Sequence, residues 1–179
     1  QWDDARQALY ESHIARLTAA GSWSLSWTES PQWLSFCDNF LPMGVINPTR
    51  KVLTSRIIPA EVEVYRTQAR TECRQKLGTV QCDGFNPKNR HHIVAFMLTV
   101  PDKKETRVYT IRTYDTSNEP KTAENLLKML REVLQLLREE WRVIVIAVTS
   151  DCSGESRKAR VEIVKELPHL IAPDCYAHQ

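Results

Sequence analysis

Residues 142–151 read RVIVIAVTSD. Arg142 to Thr149 is a nearly continuous β-branched run, whose aliphatic part is Val143 to Val148. That is how a central strand covered on both faces reads, and it is far too short to span a bilayer. It ends on Asp151, and Gly154 follows. On its N-terminal side, Ala123, Leu126, Leu127, Leu130, Val133, Leu134 and Leu137 keep a three-and-four spacing, with Pro120 near the start, and predict an amphipathic helix. On its C-terminal side, residues 153–167 predict another helix. Farther upstream, residues 77–83, 92–100 and 106–114 read as strands. The link over 101–105 is short, polar and charged, so the last two are expected to form a hairpin. A last strand is expected over 171–176.

The order is therefore three strands, helix, strand, helix, strand. An antiparallel three-strand meander joined through helices to parallel strands is the layout of a ribonuclease H-like α/β fold, with flanking helices. Residues 77–179 are expected to form this core, and residues 1–76 a helical region ahead of it. In that region Tyr10, Ile14 and Leu17 share one helix face, and Gly21 is a stop signal. Ser30–Pro31 reads as N-cap and first turn. Trp33, Phe36, Cys37 and Phe40 follow on one face, and Pro42 ends that helix. Asn47–Pro48 repeats the start signal, and Pro59 is expected to break the next helix in two. Its second half should place Val62, Tyr65, Ala69 and Cys73 together.

Composition bounds the function classes. At 179 residues, 42% hydrophobic and 26% charged, the chain can bury a useful core. A formal net charge of +2 leaves any attraction for nucleic acid to local patches. No apolar leader is visible, and no membrane association is expected. The five cysteines, at 37, 73, 82, 152 and 175, do not suggest a disulfide framework, so a reducing compartment is expected. The chain begins with Gln1, as a fragment or processed product would. No Walker loop, G-x-G-x-x-G, H-E-x-x-H or G-x-S-x-G is present.

Chemistry is expected where strands end. Asp83 closes the first strand and precedes Gly84; Asp151 closes the fourth. Two carboxylates from neighbouring strand tips, without Cys or His ligands, suit a hard ion such as Mg²⁺. Such ions activate a water or 3′-hydroxyl and stabilise the leaving oxygen in phosphodiester cleavage. An Asp at a strand end can also simply cap the following turn.

Four segments resemble the hAT superfamily of DNA transposases. VQCDGFNPKNRHHIVAFML (80–98) resembles its first catalytic segment, with Phe85 where a Trp usually follows Asp-Gly. VIAVTSDCSGESRKAR (145–160) resembles the second, and LPHLIAPDCYAHQ (167–179) the Cys-x-x-His segment that follows it. FCDNFLPMGVINPTRKVLTSRIIP (36–59) is similar to the helical stretch before the core, especially in fungal-type versions. The resemblance implies a DDE-type nuclease that cuts transposon ends and joins them to target DNA with Mg²⁺ or Mn²⁺. It implies Asp83 and Asp151 as catalytic, metal-binding acids, DNA as partner, nuclear localisation, and a homo-oligomer for the full-length protein.

The family's third acid is a Glu beyond a large helical insertion, which would lie past Gln179. The core is accordingly expected to be incomplete at its C-terminus and inactive alone. A transposon-derived protein that binds DNA or another protein without cutting is the alternative. Glu124, in the first turn of a helix, and Glu155 are the candidate substitutes for the third acid; complementing a helix N-terminus is the other role for each. Cys175 and His178 form a family motif that could be half of a zinc site or plain packing. For DNA, Arg157, Lys158 and Arg160 follow Asp151, and Arg66, Arg70 and Arg74 make a four-residue stripe. Both patches could hold phosphates or be solvated faces. His91 and His92 read as capping or solvated residues.

Overall fold

The computed structural model describes residues 2–85, 91–101 and 106–175. The chain divides into two compact units, Gln1–Gln68 and Ala69–Gln179.

The first unit is helical. Helix α1 (Asp4–Ala20) is capped by Asp3, whose carboxylate accepts the Arg6 N–H at 2.8 Å. It ends at Gly21, but the left-handed residue is Ser22, with φ of 50°. A Cβ at Gly21 would lie 2.4 Å from Nε1 of Trp23, a half-exposed ring that would have to shift to admit it. A 3₁₀ turn (Trp27–Glu29) leads into α2 (Pro31–Phe40), whose Ser30 hydroxyl caps it as expected. The anticipated apolar face of α2 is not buried, since Phe36 and Phe40 are 46% and 73% exposed. The next helix starts later than Asn47–Pro48, at α3 (Arg50–Val52), capped by Thr49. The Asn47 side chain instead accepts from the Tyr10 hydroxyl and Trp33 Nε1 and donates to the Thr28 carbonyl.

Pro59 does not break the helix. A π-helical turn (Leu53–Ile57) joins α3 directly to α4 (Ile58–Cys73). The wider turn ends just before the proline, whose missing N–H would otherwise interrupt a regular ladder. Ile14, Ala15, Leu53 and Ile57 form the small core of this unit. Arg56 clasps Glu11 with two hydrogen bonds, at 2.8 and 2.9 Å, tying the π-turn to α1.

The second unit is a mixed α/β layer. Strands β1 (Leu77–Phe85), β2 (Ile93–Pro101), β3 (Thr106–Asp115) and β4 (Ile144–Ser150) form one sheet in the order β3-β2-β1-β4. The first three form an antiparallel meander, and β4 pairs with β1 in parallel. Helices α5 (Ala123–Leu136) and α6 (Gly154–Glu166) pack on each other. Phe96, Leu98, Val80 and Val148 from the sheet share a buried core with Leu130, Val133 and Leu137 near α5 and Ile163 of α6. Ala69 and Cys73, at the end of α4, belong to this same core. Gly78 lies under it: a Cβ there would meet Leu98 Cδ1 at 2.7 Å and Val143 Cγ1 at 3.2 Å.

The parallel register has a local cause. After α5 the chain makes a π-turn (Leu137–Trp141), and Arg142 takes a left-handed φ of 52°. Gln75, before β1, is left-handed too, with φ of 59°, and its N–H donates to the Arg142 carbonyl at 2.8 Å. The two strands therefore leave side by side, with the Ile144 N–H on the Lys76 carbonyl at 3.0 Å. Arg142 itself is consequently a turn residue and not the first residue of the strand.

The expected last strand is reduced, among the described residues, to two parallel bridges on the outer edge of β4, Ala147 with Ile171 and Ser150 with Asp174. Pro173, which has no N–H to give, stands between them and interrupts the ladder.

Candidate functional site

The parallel pairing of β1 with β4 runs as far as Cys82 and Ser150. Asp151 is the first residue past β4, but Asp83 does not close β1: the strand runs on to Phe85, and Asp83 is paired with Ala95 of β2. A cleft of about 220 Å³ opens at this end of the sheet. Cys82 and Gly84 of β1, His92 and Val94 at the start of β2, and Asp151 form its sheet side. The turn ahead of α5 contributes Thr116, Glu119, Lys121 and Thr122, and the start of α6 contributes Ser153, Glu155 and Ser156. The N-termini of two helices thus open onto one crevice at the carboxyl ends of parallel strands, the usual place for a ligand in an open α/β sheet.

Asp151 is fixed on the crevice wall. Its Oδ1 accepts the Ser153 hydroxyl at 3.0 Å and the Ser153 N–H at 3.4 Å, while Ser153 in turn caps α6. Asp83 stands between two cleft-lining residues, Cys82 and Gly84, but does not line the cleft itself, as expected where successive strand residues alternate faces. Both carboxylates act on Cys82: its thiol is pushed up to about 12, first by burial and then by the negative charges of Asp151 and Asp83.

The candidate third acids separate. Glu155 lines the cleft and is exposed. Glu124 does not; it lies in the first turn of α5 and accepts from Lys158 Nζ at 2.9 Å, and that ammonium holds its carboxyl below the usual range. Among the described residues no three His, Cys, Asp or Glu side chains converge as a metal-binding group. Glu119, Thr116 and His92 are cleft residues that periodicity did not reveal. His92 is neither a cap nor freely solvated, because its Nδ1 is hydrogen-bonded to Thr116 Oγ1. His91 pairs instead with Asp115 at 2.9 Å.

The expected DNA-facing cations also divide. Arg157 is exposed on α6, and Lys158 is engaged with Glu124. Arg160 is not at the surface: it is 3% exposed and turned inward onto the tip of β4. A guanidinium so placed is not available to phosphate. Arg66 is exposed, Arg70 lies against Glu140 at 3.4 Å and over the Trp141 ring, and Arg74 falls in the turn after α4. The stripe is therefore not continued as one helical face. Cys175 is held by its N–H on the Ser150 carbonyl at 3.0 Å, with Cys152 Sγ near its carbonyl, whereas His178 lies outside the described residues.

The chain matches no family model and no curated protein. No helix among the described residues is long and apolar enough to cross a membrane.

Proposed function

We propose that the second unit is a ribonuclease H-like core of hAT-transposase type, whose Asp83 and Asp151 hold Mg²⁺ or Mn²⁺ for phosphodiester chemistry on DNA in the nucleus. One observation carries the reading: Asp83 and Asp151 each follow directly on the last residues, Cys82 and Ser150, by which β1 and β4 pair in parallel, and Asp151 lines a cleft that two helix N-termini also enter. The strand order β3-β2-β1-β4, with a fifth segment bridged in parallel to the outer edge of β4, supports the same fold. The donor set fits a hard cation, because carboxylate oxygens are what Mg²⁺ and Mn²⁺ take. A bound ion would supply Lewis-acid stabilisation of the phosphoryl oxygens. The chain's own work is to present the carboxylates, to hold Asp151 through Ser153, and to offer Arg157 to the DNA backbone.

A second reading has an observation of its own. With no third metal-binding side chain converging among the described residues, the chain would bind DNA or another protein without cutting it. Titration of the full chain with Mn²⁺, counting free ion by electron paramagnetic resonance, separates the two. The nuclease reading expects one site that Mg²⁺ competes for and that is lost in both D83N and D151N. Affinity unchanged in either variant contradicts shared ligation. DNA binding that survives removal of all divalent metal, with no Mn²⁺ site, favours the second reading.

A further inference from the structure

We propose that Arg160 is a positioning residue for the Asp151 carboxylate, acting through the backbone at the tip of β4; the proposal rests on Asp151 being a metal ligand of the cleft. Arg160 projects from α6 with its guanidinium buried. Its Nη1 donates to the Ser150 carbonyl at 2.8 Å and to the Asp151 carbonyl at 2.7 Å, and also to the Ser150 hydroxyl. Its Nη2 donates to the Asp174 carboxylate. Asp174 is the residue that bridges to Ser150 from the outer edge, and the N–H of the next residue, Cys175, donates to the same Ser150 carbonyl. One side chain therefore ties three segments together at the two carbonyls that precede and belong to Asp151.

The consequence is orientation. β4 ends at Ser150, so from Asp151 onward no ladder fixes the backbone. Arg160 holds that backbone from the carbonyl side, and Ser153 holds the carboxylate from the other side. A ligand pinned at both ends meets a cation without first being ordered, which is how outer-shell groups raise metal affinity. The planar fork of arginine suits this role: it reaches two carbonyls and a carboxylate at once, whereas a lysine ammonium is a single point donor. A buried guanidinium also needs these partners, since an unpaired charge in the interior is strongly disfavoured.

The test compares the wild-type chain with R160K and D174N, at a temperature where circular dichroism shows each to be folded. Two quantities are read: Mn²⁺ affinity by electron paramagnetic resonance, and hydrogen exchange at the Ser153 and Cys175 amides. R160K is expected to weaken Mn²⁺ about tenfold, the scale found when outer-shell partners are removed, and to speed exchange at both amides. D174N should shift both quantities in the same direction, and it carries the test if R160K does not fold. A purely structural arginine would lower stability and leave the affinity of the folded protein unchanged; that result overturns the proposal. If the wild-type chain binds no Mn²⁺, the metal reading has failed separately. Unchanged exchange at Ser153 would then overturn the positioning role, and faster exchange would uphold Arg160 as the residue that sets the Asp151 turn.

Discussion

Cys82 shows how the strand tip's carboxylates act on a neighbour. Its thiol is pushed up to about 12 by burial and by Asp151 and Asp83, so the reactive thiolate is disfavoured at ordinary pH. Cys152, four residues downstream of β4's buried Val148, is exposed. In the native chain at pH 8, a maleimide is expected to label Cys152 and spare Cys82, as read by peptide mapping; prompt labelling of Cys82 would contradict its placement between the two acids. Gly78 gives a stability counterpart. Its added Cβ would strike Leu98 and Val143, both buried side chains, so neither can swing into solvent. Gly78→Ala should destabilise the second unit by about 1–3 kcal/mol, the usual cost of overpacking, measured by urea unfolding. Neither effect was legible in sequence, because a glycine in a strand and a cysteine before an aspartate have many ordinary explanations.

Elements were legible where one physical signal dominated. The leucine spacing of α5 placed that helix to within a residue or two, because burial of an apolar face decides it. The β-branched run did become β4, but not as a central strand covered on both faces, since β4 is last in the strand order and Ile144 and Ile146 are exposed. Leu137, fully buried just past α5, should cost about 2–5 kcal/mol on replacement by Ala, by the same urea experiment. The π-turns at Leu53–Ile57 and Leu137–Trp141 left no sequence signal; they answer local constraints, a downstream proline in one case and a strand entry in the other. In the first unit the π-turn is held to α1 by Arg56 and Glu11. Arg56 depresses the Glu11 carboxyl below its ordinary 4.5. Its contribution is therefore complete above the unfolded value and disappears as pH falls through the lower folded value. The Arg56 side chain is 61% exposed, so the pair is worth no more than about 1 kcal/mol. The thermal midpoint of wild type should fall more steeply than that of E11Q as pH drops below about 4.5.

At the scale of the whole chain, sequence order indicated that β1 and β4 would be neighbours but not what else would gather beside Asp151. Asp151 was visible because it directly follows β4, whereas Asp83 lies inside β1, two residues before its end. Thr116 and Glu119 were not visible, because the turn ahead of α5 brings them to the cleft from outside any periodic segment, and His92 enters it from the start of β2. Arg160 misled for a related reason. It sits among basic residues, and its partners are carbonyls and an aspartate 14 positions away. Arg157 is exposed and follows the cleft residue Ser156 in sequence. If it contacts a phosphate, R157A should reduce the slope of log affinity against log salt for duplex DNA by about 0.9, while R160K should leave that slope unchanged.

The sharing of one cation by Asp83 and Asp151 is tested most directly by carbon-13 resonances of the aspartate carboxyls during Mn²⁺ titration. Asp83 and Asp151 should broaden first, together and at the same ion concentration, with Mg²⁺ reversing both. Broadening of one without the other, or of neither before the remaining aspartates, would contradict it.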